Sequence, residues 1–227
     1  MYLNIHVFNL AQENPGVRRA LADADLVYCD GEGIRLGARL LGEPALTRMT
    51  AADFIEDVAA FLATERLRLF WVGGRQGVAE RAVQALAARY PGLDIAGTHH
   101  GYFAKDREES DRVVAAINAA TPNVVIVGLG SPTQELWLRR VRQRIDAPVV
   151  WALGATADNL AGVQWRAPRW MAQNKLEWLW RLAANPRRMF ARYVIGNPLF
   201  IARVLRARLG NALSERERKS KDKDGRT

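Results

Sequence analysis

Four side chains able to bind or move protons stand beside glycine-containing turns. Asp30 closes the apolar run Leu26-Val27-Tyr28-Cys29 and precedes Gly31 and Gly33. A carboxylate so placed can accept a proton from a substrate hydroxyl, or it can serve only as a turn or helix-cap residue. Gln134 and Glu135 follow the run Val124–Val127 and the turn Gly128-Leu129-Gly130-Ser131-Pro132-Thr133. Glu135 in a first helical turn would gain roughly 0.3–1 kcal/mol from the positive helix end, a reason Gln134 lacks. Asp158 comes after Val149-Val150-Trp151 and Gly154-Ala155-Thr156-Ala157, where it either caps a helix or faces a ligand. Glycines let the backbone approach a ligand, Pro132 suits a first helical turn, and helix N-termini offer N–H groups to an anion such as a diphosphate. This arrangement implies a nucleotide or phosphate ligand, and nothing narrower.

The elements that must position these residues alternate. A strand is expected near Leu3–Val7, a helix from about Pro15, a strand at Leu26–Cys29 and a helix over Gly33–Leu41. Thr50 and Asp53 resemble a capping box for a helix through about Thr64. Strand Arg68–Val72 ends at Gly73-Gly74, and helix Val78–Arg89 follows. Leu93–Ala96 reads as strand, and a helix led by Glu108 to Asp111 ends near Ala120. Such alternation predicts an α/β fold: a Rossmann-like, mostly parallel sheet with helices on both faces. Ligands of these sheets lie beyond the carboxyl ends of the strands, where Asp30, Gly73, Gly74, Gly128, Gly130 and Gly154 all fall.

The net charge of +9 is unevenly spread. Residues 1–174 carry 19 Lys/Arg against 19 Asp/Glu, whereas residues 175–227 carry 14 against 5, so the whole excess lies in the last quarter. The expected organisation is a core over residues 1–184, a basic amphipathic helical appendage over 185–213, and a charged, disordered tail over 214–227. One cysteine excludes an intramolecular disulfide framework. No N-terminal signal segment is present, and no apolar run reaches the roughly 18–20 residues needed to span a bilayer. A cytoplasmic location is expected.

The string Gly-Leu-Gly-Ser-Pro-x-Gln-Glu, then Gly-x-x-x-Asp, Arg166-Ala167-Pro168 and Glu177-Trp178-Leu179-Trp180-Arg181-Leu182, resembles the WecG/TagA/CpsF family of bacterial glycosyltransferases. The likeness extends back through Asp30-Gly31-Glu32-Gly33, Arg48-Met49-Thr50-Ala51-Ala52-Asp53, and Pro91-Gly92-Leu93 to Gly101-Tyr102-Phe103, covering residues 3–195. The resemblance implies that Asp30 is the general base of an inverting transfer from a UDP-sugar. The sugar would be of N-acetylmannosamine, N-acetylmannosaminuronic acid or glucose type. Arg181 would engage the leaving diphosphate, with Arg188 a second candidate. Gln134, Glu135, Asp158 and Arg166 would recognise the donor, with Asn4, Gly31, Gly33, Gly101, Tyr102 and Pro132 also at the substrate site. The acceptor would be a sugar on undecaprenyl diphosphate, placing the protein on the inner face of the plasma membrane through its basic C-terminal segment. No cofactor and no metal are implied, and an oligomer is compatible with the chain.

Two departures stand out. Tyr2-Leu3-Asn4 replaces the family's Thr-x-Asn, so Asn4 matches and Tyr2 does not; either the start is late or an N-terminal element has been lost. Met49-Thr50-Ala51 replaces Val-Thr-Gly.

Rival chemistries have weaker support. Asp23-Ala24-Asp25 matches an Asp-x-Asp metal clamp, but it lies where a helix hands over to a strand, at the opposite sheet edge from the glycine turns. His99-His100 lack a ligand set of familiar spacing. Cys29 is expected to be a small buried residue, since no base stands beside it. A nicotinamide-dependent oxidoreductase is the rival enzyme class, its fingerprint weakened by Thr133 at the third glycine. The basic segment could attract nucleic acid, but the resemblance favours a membrane partner and no nucleic acid.

Overall fold

A computed structural model describes residues 1–163, 167–168, 170–171 and 176–224. The side chains of Ala52, Glu177, Arg188 and residues 212–224 lie outside that description. The chain divides into two compact units interleaved in sequence. The first comprises Met1–Leu3, Leu10–Asp30 and Met49–Arg166, and the second Asn4–Asn9, Gly31–Arg48 and Ala167–Thr227.

In the first unit all strands are parallel. β3 (Arg68–Gly73), β4 (Asp94–His99), β5 (Val124–Gly128) and β6 (Val149–Ala152) form one sheet in the order β4-β3-β5-β6. β1 (Tyr2–Leu3) and β2 (Tyr28–Cys29) form a separate pair, so the single sheet expected from the alternation is split in two. The central strands β3 and β5 are continuous apolar runs because both of their faces are covered. Leu69 and Trp71 of β3, with Val124 and Ile126 of β5, face one core cluster. That cluster holds residues of α4 (Ala51–Thr64), α5 (Val78–Arg89) and α8 (Thr156–Leu160). Phe70, Val72, Val125 and Val127 point the other way, towards α6 (Glu108–Ala119) and α7 (Thr133–Val141). The period of two in strand side chains thus assigns alternate residues to opposite helical layers.

Two local expectations are corrected. Leu3–Val7 is not a strand beyond Leu3: α1 (Ile5–Glu13) begins there, and Asn4 Oδ1 accepts the Val7 N–H at 3.1 Å. An N-cap acceptor satisfies a helix-start donor and outweighs the β propensity of Ile5 and Val7. Thr50 precedes α4 as expected but makes no side-chain cap bond, and its hydroxyl is buried without a partner among the described residues. The capping box is therefore absent on the Thr50 side; only its backbone carbonyl takes the Asp53 N–H, at 2.7 Å.

α2 (Pro15–Ala22) also belongs to the first unit, capped by Asn14, whose side chain accepts from Gly16 and Val17. The second unit packs α3 (Glu32–Leu41) and the start of α1 against the C-terminal helices. These are α9 (Glu177–Ala184), α10 (Pro186–Phe190), a π-helical turn (Ala191–Ile195) and α11 (Gly196–Asp224). Phe8 meets Phe200 edge-on at 5.1 Å, and Arg203 donates to both the carbonyl and the side-chain oxygen of Asn9. α11 runs on past residue 214, where composition sets the start of the charged tail. No helix among the described residues is long and apolar enough to cross a membrane.

Candidate active site

The strand order β4-β3-β5-β6 reverses direction between β3 and β5, because β4 is laid on one side of β3 and β5 on the other. Parallel sheets open a crevice at the carboxyl edge of such a switch point. The glycine turns meet there in one row. Gly101 N–H donates to Gly74 O at 2.7 Å, and Gly74 N–H donates to Gly128 O at 3.4 Å. A Cβ on Gly73 would lie 2.6 Å from Gly128 O, and one on Gly128 would lie 2.5 Å from Gly154 O. Both residues must be glycine for adjacent turns to approach so closely. Gly130 has φ 77° at the start of the turn that carries Ser131 and Pro132 into α7. Pro132 sits at the N-cap of α7, one residue before the expected first turn.

Tyr2 connects this row to the β1–β2 pair. Its hydroxyl would be 2.9 Å from a Cβ on Gly154 and lies 3.2 Å from Ser131 Oγ. Ser131 donates to Glu135 Oε1 at 2.7 Å, so the Tyr2 phenol is the donor to Ser131. Gln134 Nε2 donates to the same Glu135 oxygen at 2.9 Å, while Gln134 Oε1 accepts the Gly154 N–H at 3.2 Å. Gln134 and Glu135 are 0% and 1% exposed, and Glu135 Oε2 has no partner among the described residues. A buried carboxylate is tolerable here because it sits in the first turn of α7 and gathers two donors. These side chains thus tie the β5 turn to the β6 turn.

Asp30 follows β2, and its N–H donates to Leu3 O at 2.8 Å, which extends the β1–β2 ladder by one bond. Its residue is partly exposed, so the carboxylate is not sealed in the core. Asp158 lies in the first turn of α8, also partly exposed, with its carbonyl accepting from Val163 at 2.9 Å. Asp30, Gly73, Gly74, Gly101, Tyr102, Gly128, Gly130, Pro132, Gln134, Glu135 and Asp158 therefore all belong to the first unit and to strand carboxyl ends.

Several other expected site residues belong to the second unit. Asn4 caps α1 in the second unit. Gly31, with φ 103°, is the N-cap of α3. Gly33 is in the first turn of α3, where any Cβ would collide with Ile5, so close packing accounts for it. Arg181, partly exposed, is on α9 and Arg188 on α10, both in the second unit. Arg166 lies outside the described residues. Asp23 closes α2 and, with Asp25, lines a cleft near Met1 and Val149, at the amino ends of β1 and β6. Cys29 is buried, as expected.

Three participants were not legible as site residues: Tyr2, Ser131 and Lys105. Lys105 donates to Gly101 O at 2.8 Å and also to Phe103 O, and its ammonium lies 3.7 Å from the Phe103 ring centre. Burial pulls its pKa below the ordinary lysine value, opposed by the nearby Glu109 carboxylate. The only signal for it in the sequence is its spacing of four residues from Gly101.

Residues 1–214 match the family described as "Glycosyl transferase WecG/TagA/CpsF family". One curated relative is the N-acetylglucosaminyldiphosphoundecaprenol N-acetyl-beta-D-mannosaminyltransferase of Bacillus spizizenii strain W23. It is 30% identical over 196 residues, covering 86% of this chain and 74% of that protein. The identically named protein of Bacillus subtilis strain 168 is 30% identical over 168 residues, covering 74% of this chain and 64% of that protein. The carboxyl-edge aspartate, the glycine row and the Pro132–Glu135 segment stand within the matched span, and the chain belongs to the WecG/TagA/CpsF family of glycosyl transferases.

Proposed function

We propose that this chain transfers a sugar from a UDP-sugar to an acceptor carried on undecaprenyl diphosphate, with inversion at the anomeric carbon. The observation that carries this reading is the partly exposed Asp30, fixed at the carboxyl end of β2 in the unit that holds the glycine row. The acceptor hydroxyl gives its proton to Asp30 as its oxygen bonds to the anomeric carbon. The bond from that carbon to the diphosphate breaks on the opposite side, and UDP leaves with the electron pair. Helix N-termini at α5 and α7 favour the diphosphate at this edge. Arg181 neutralises charge on the departing phosphate, assisted by Arg188, because a guanidinium matches phosphate oxygens. Asp158 contributes to donor recognition, while Gln134 and Glu135 hold the turns that receive the donor.

The names of the two Bacillus relatives favour N-acetylmannosamine as the sugar and an N-acetylglucosaminyl-diphosphoundecaprenol acceptor. The excess of basic residues after residue 174 suits an anionic membrane surface, where each contributes about 1 kcal/mol. We infer a position on the inner face of the plasma membrane. The test is a panel of UDP-sugars assayed for UDP release with a synthetic lipid-diphosphate acceptor. Release from UDP-N-acetylmannosamine that requires acceptor, with an inverted product by NMR, is expected. Acceptor-independent release, or a retained configuration, contradicts the reading.

A further inference from the structure

α4 carries two apolar stripes, and the core uses only one. Ala51, Ile55, Ala59 and Leu62, spaced i, i+4, i+8 and i+11, are buried in the core cluster. Phe54, Val58 and Phe61, spaced i, i+4 and i+7, line a cleft at the amino edge of the strands, all of whose lining belongs to the first unit. This second stripe runs outward from a partly buried Phe54 to Phe61, which is 59% exposed. Leu26 (68% exposed), Met49 and Val149 add three more large exposed apolar side chains to the same cleft. Such residues scattered singly need no explanation, but grouped around one hollow they form the kind of patch that a partner covers. Stacked on the floor side, Phe54 and Trp151 lie parallel at 5.1 Å, with Tyr28 edge-on to both, so the hollow has a firm aromatic wall.

The charges around the cleft select the partner. Asp23, Asp25 and Asp57 line it together with Arg139, Arg140 and Arg142, three of each sign. Asp23, Asp57, Arg139 and Arg140 are exposed and make no ion pair among the described residues. An anionic membrane would meet three carboxylates here, whereas the chain's basic excess lies after residue 174. A two-fold interface has the opposite requirement: one patch must fit itself, so it carries both signs of charge and both a projection and a hollow. We propose that this cleft is a dimer interface, closed by a second copy of the chain across a two-fold axis. Phe61 of each copy enters the hollow of the other, and the carboxylates of each meet the arginines of the other. The role is separate from catalysis and independent of the donor reading.

The test is sedimentation velocity of the full chain over a wide concentration range, with native mass spectrometry of the same samples. A reversible dimer is expected. Phe61→Asp should weaken it about tenfold or more, with an unchanged far-UV circular dichroism spectrum. Asp23→Lys with Asp25→Lys, and separately Arg139→Glu with Arg140→Glu, should each weaken self-association, because like charges then face each other. Mixed together, these two variants should pair as tightly as wild type, a rescue that mere structural damage would not give. A wild-type chain that stays monomeric throughout, or a dimer that survives Phe61→Asp, overturns the assignment. So does a failure of the two charge-reversed variants to pair, or a monomer carrying the added mass of a lipid or small molecule that Phe61→Asp releases.

Discussion

The carboxyl and amino edges of the first unit's parallel strands differ in a way that separates a site from a hole. At the amino edge a cleft of about 990 Å³ opens between the β1–β2 pair and β6. Its wall is mostly apolar, including Leu26, Met49, Phe54, Leu138 and Trp151. Charges of both signs ring it: Asp23, Asp25 and Asp57 with Arg139, Arg140 and Arg142. α4 lines it with Phe54, Asp57, Val58 and Phe61, and α2 and α7 reach it with their C-termini, whose carbonyls repel a diphosphate. At the carboxyl edge glycine turns touch, helix N-termini gather, and a hydrogen-bonded chain runs from Tyr2 through Ser131, Glu135 and Gln134 to Gly154. The amino edge offers a cleft and the carboxyl edge the chemistry, and the reaction needs the chemistry.

That contrast can be broken at several points. The largest effect is expected when carboxylates at the two edges are neutralised in parallel. Asp30→Asn should lower kcat by about 10²–10⁴-fold in a UDP-release assay, whereas Asp23→Asn with Asp25→Asn should leave it near wild type. A loss confined to the amino-edge pair would reverse the assignment. Next in size, Gly128→Ala drives a methyl against the Gly154 carbonyl, and overpacking of this kind costs about 1–3 kcal/mol. Melting should fall by roughly 2–10 °C, as read by calorimetry. Gln134→Ala leaves the buried Gly154 N–H and the Glu135 carboxylate short of a partner, at a cost of about 1–3 kcal/mol. It should raise donor KM as well, since it loosens the turns on both sides of the crevice. The smallest effect belongs to the amino edge: Phe61→Ser, at a residue 59% exposed in the cleft, should shift stability by no more than about 0.5 kcal/mol. Its turnover should stay at the wild-type level.

Much of this edge was legible in the sequence because strands covered on both faces are continuous apolar runs ended by glycine. β3 and β5 were read to within a residue, and α5 matches its expected range Val78–Arg89. The first strand is not formed because Asn4, through one side-chain acceptor, caps a helix where Ile5 and Val7 favour a strand. The interleaving of the two units left no trace in composition, since it depends on contacts such as Gly37 of α3 against Phe200 of α11. Within the site, Asp30 and the glycines announced themselves by following apolar runs. The burial of Gln134 and Glu135 did not, because it is created by Ser131, Tyr2 and Gly154 at remote positions. Lys105 was hidden for the same reason, its partners being backbone carbonyls that carry no residue identity.

Hydrogen–deuterium exchange of the full chain with and without saturating UDP locates the donor most directly. Added UDP should slow exchange in the peptides spanning Gly73–Gly77, Gly101–Lys105 and Gly128–Gln134, leaving Asp23–Leu26 and Arg139–Trp151 unchanged. Protection confined to those last two segments would put the nucleotide in the amino-edge cleft and contradict the role given to the glycine row.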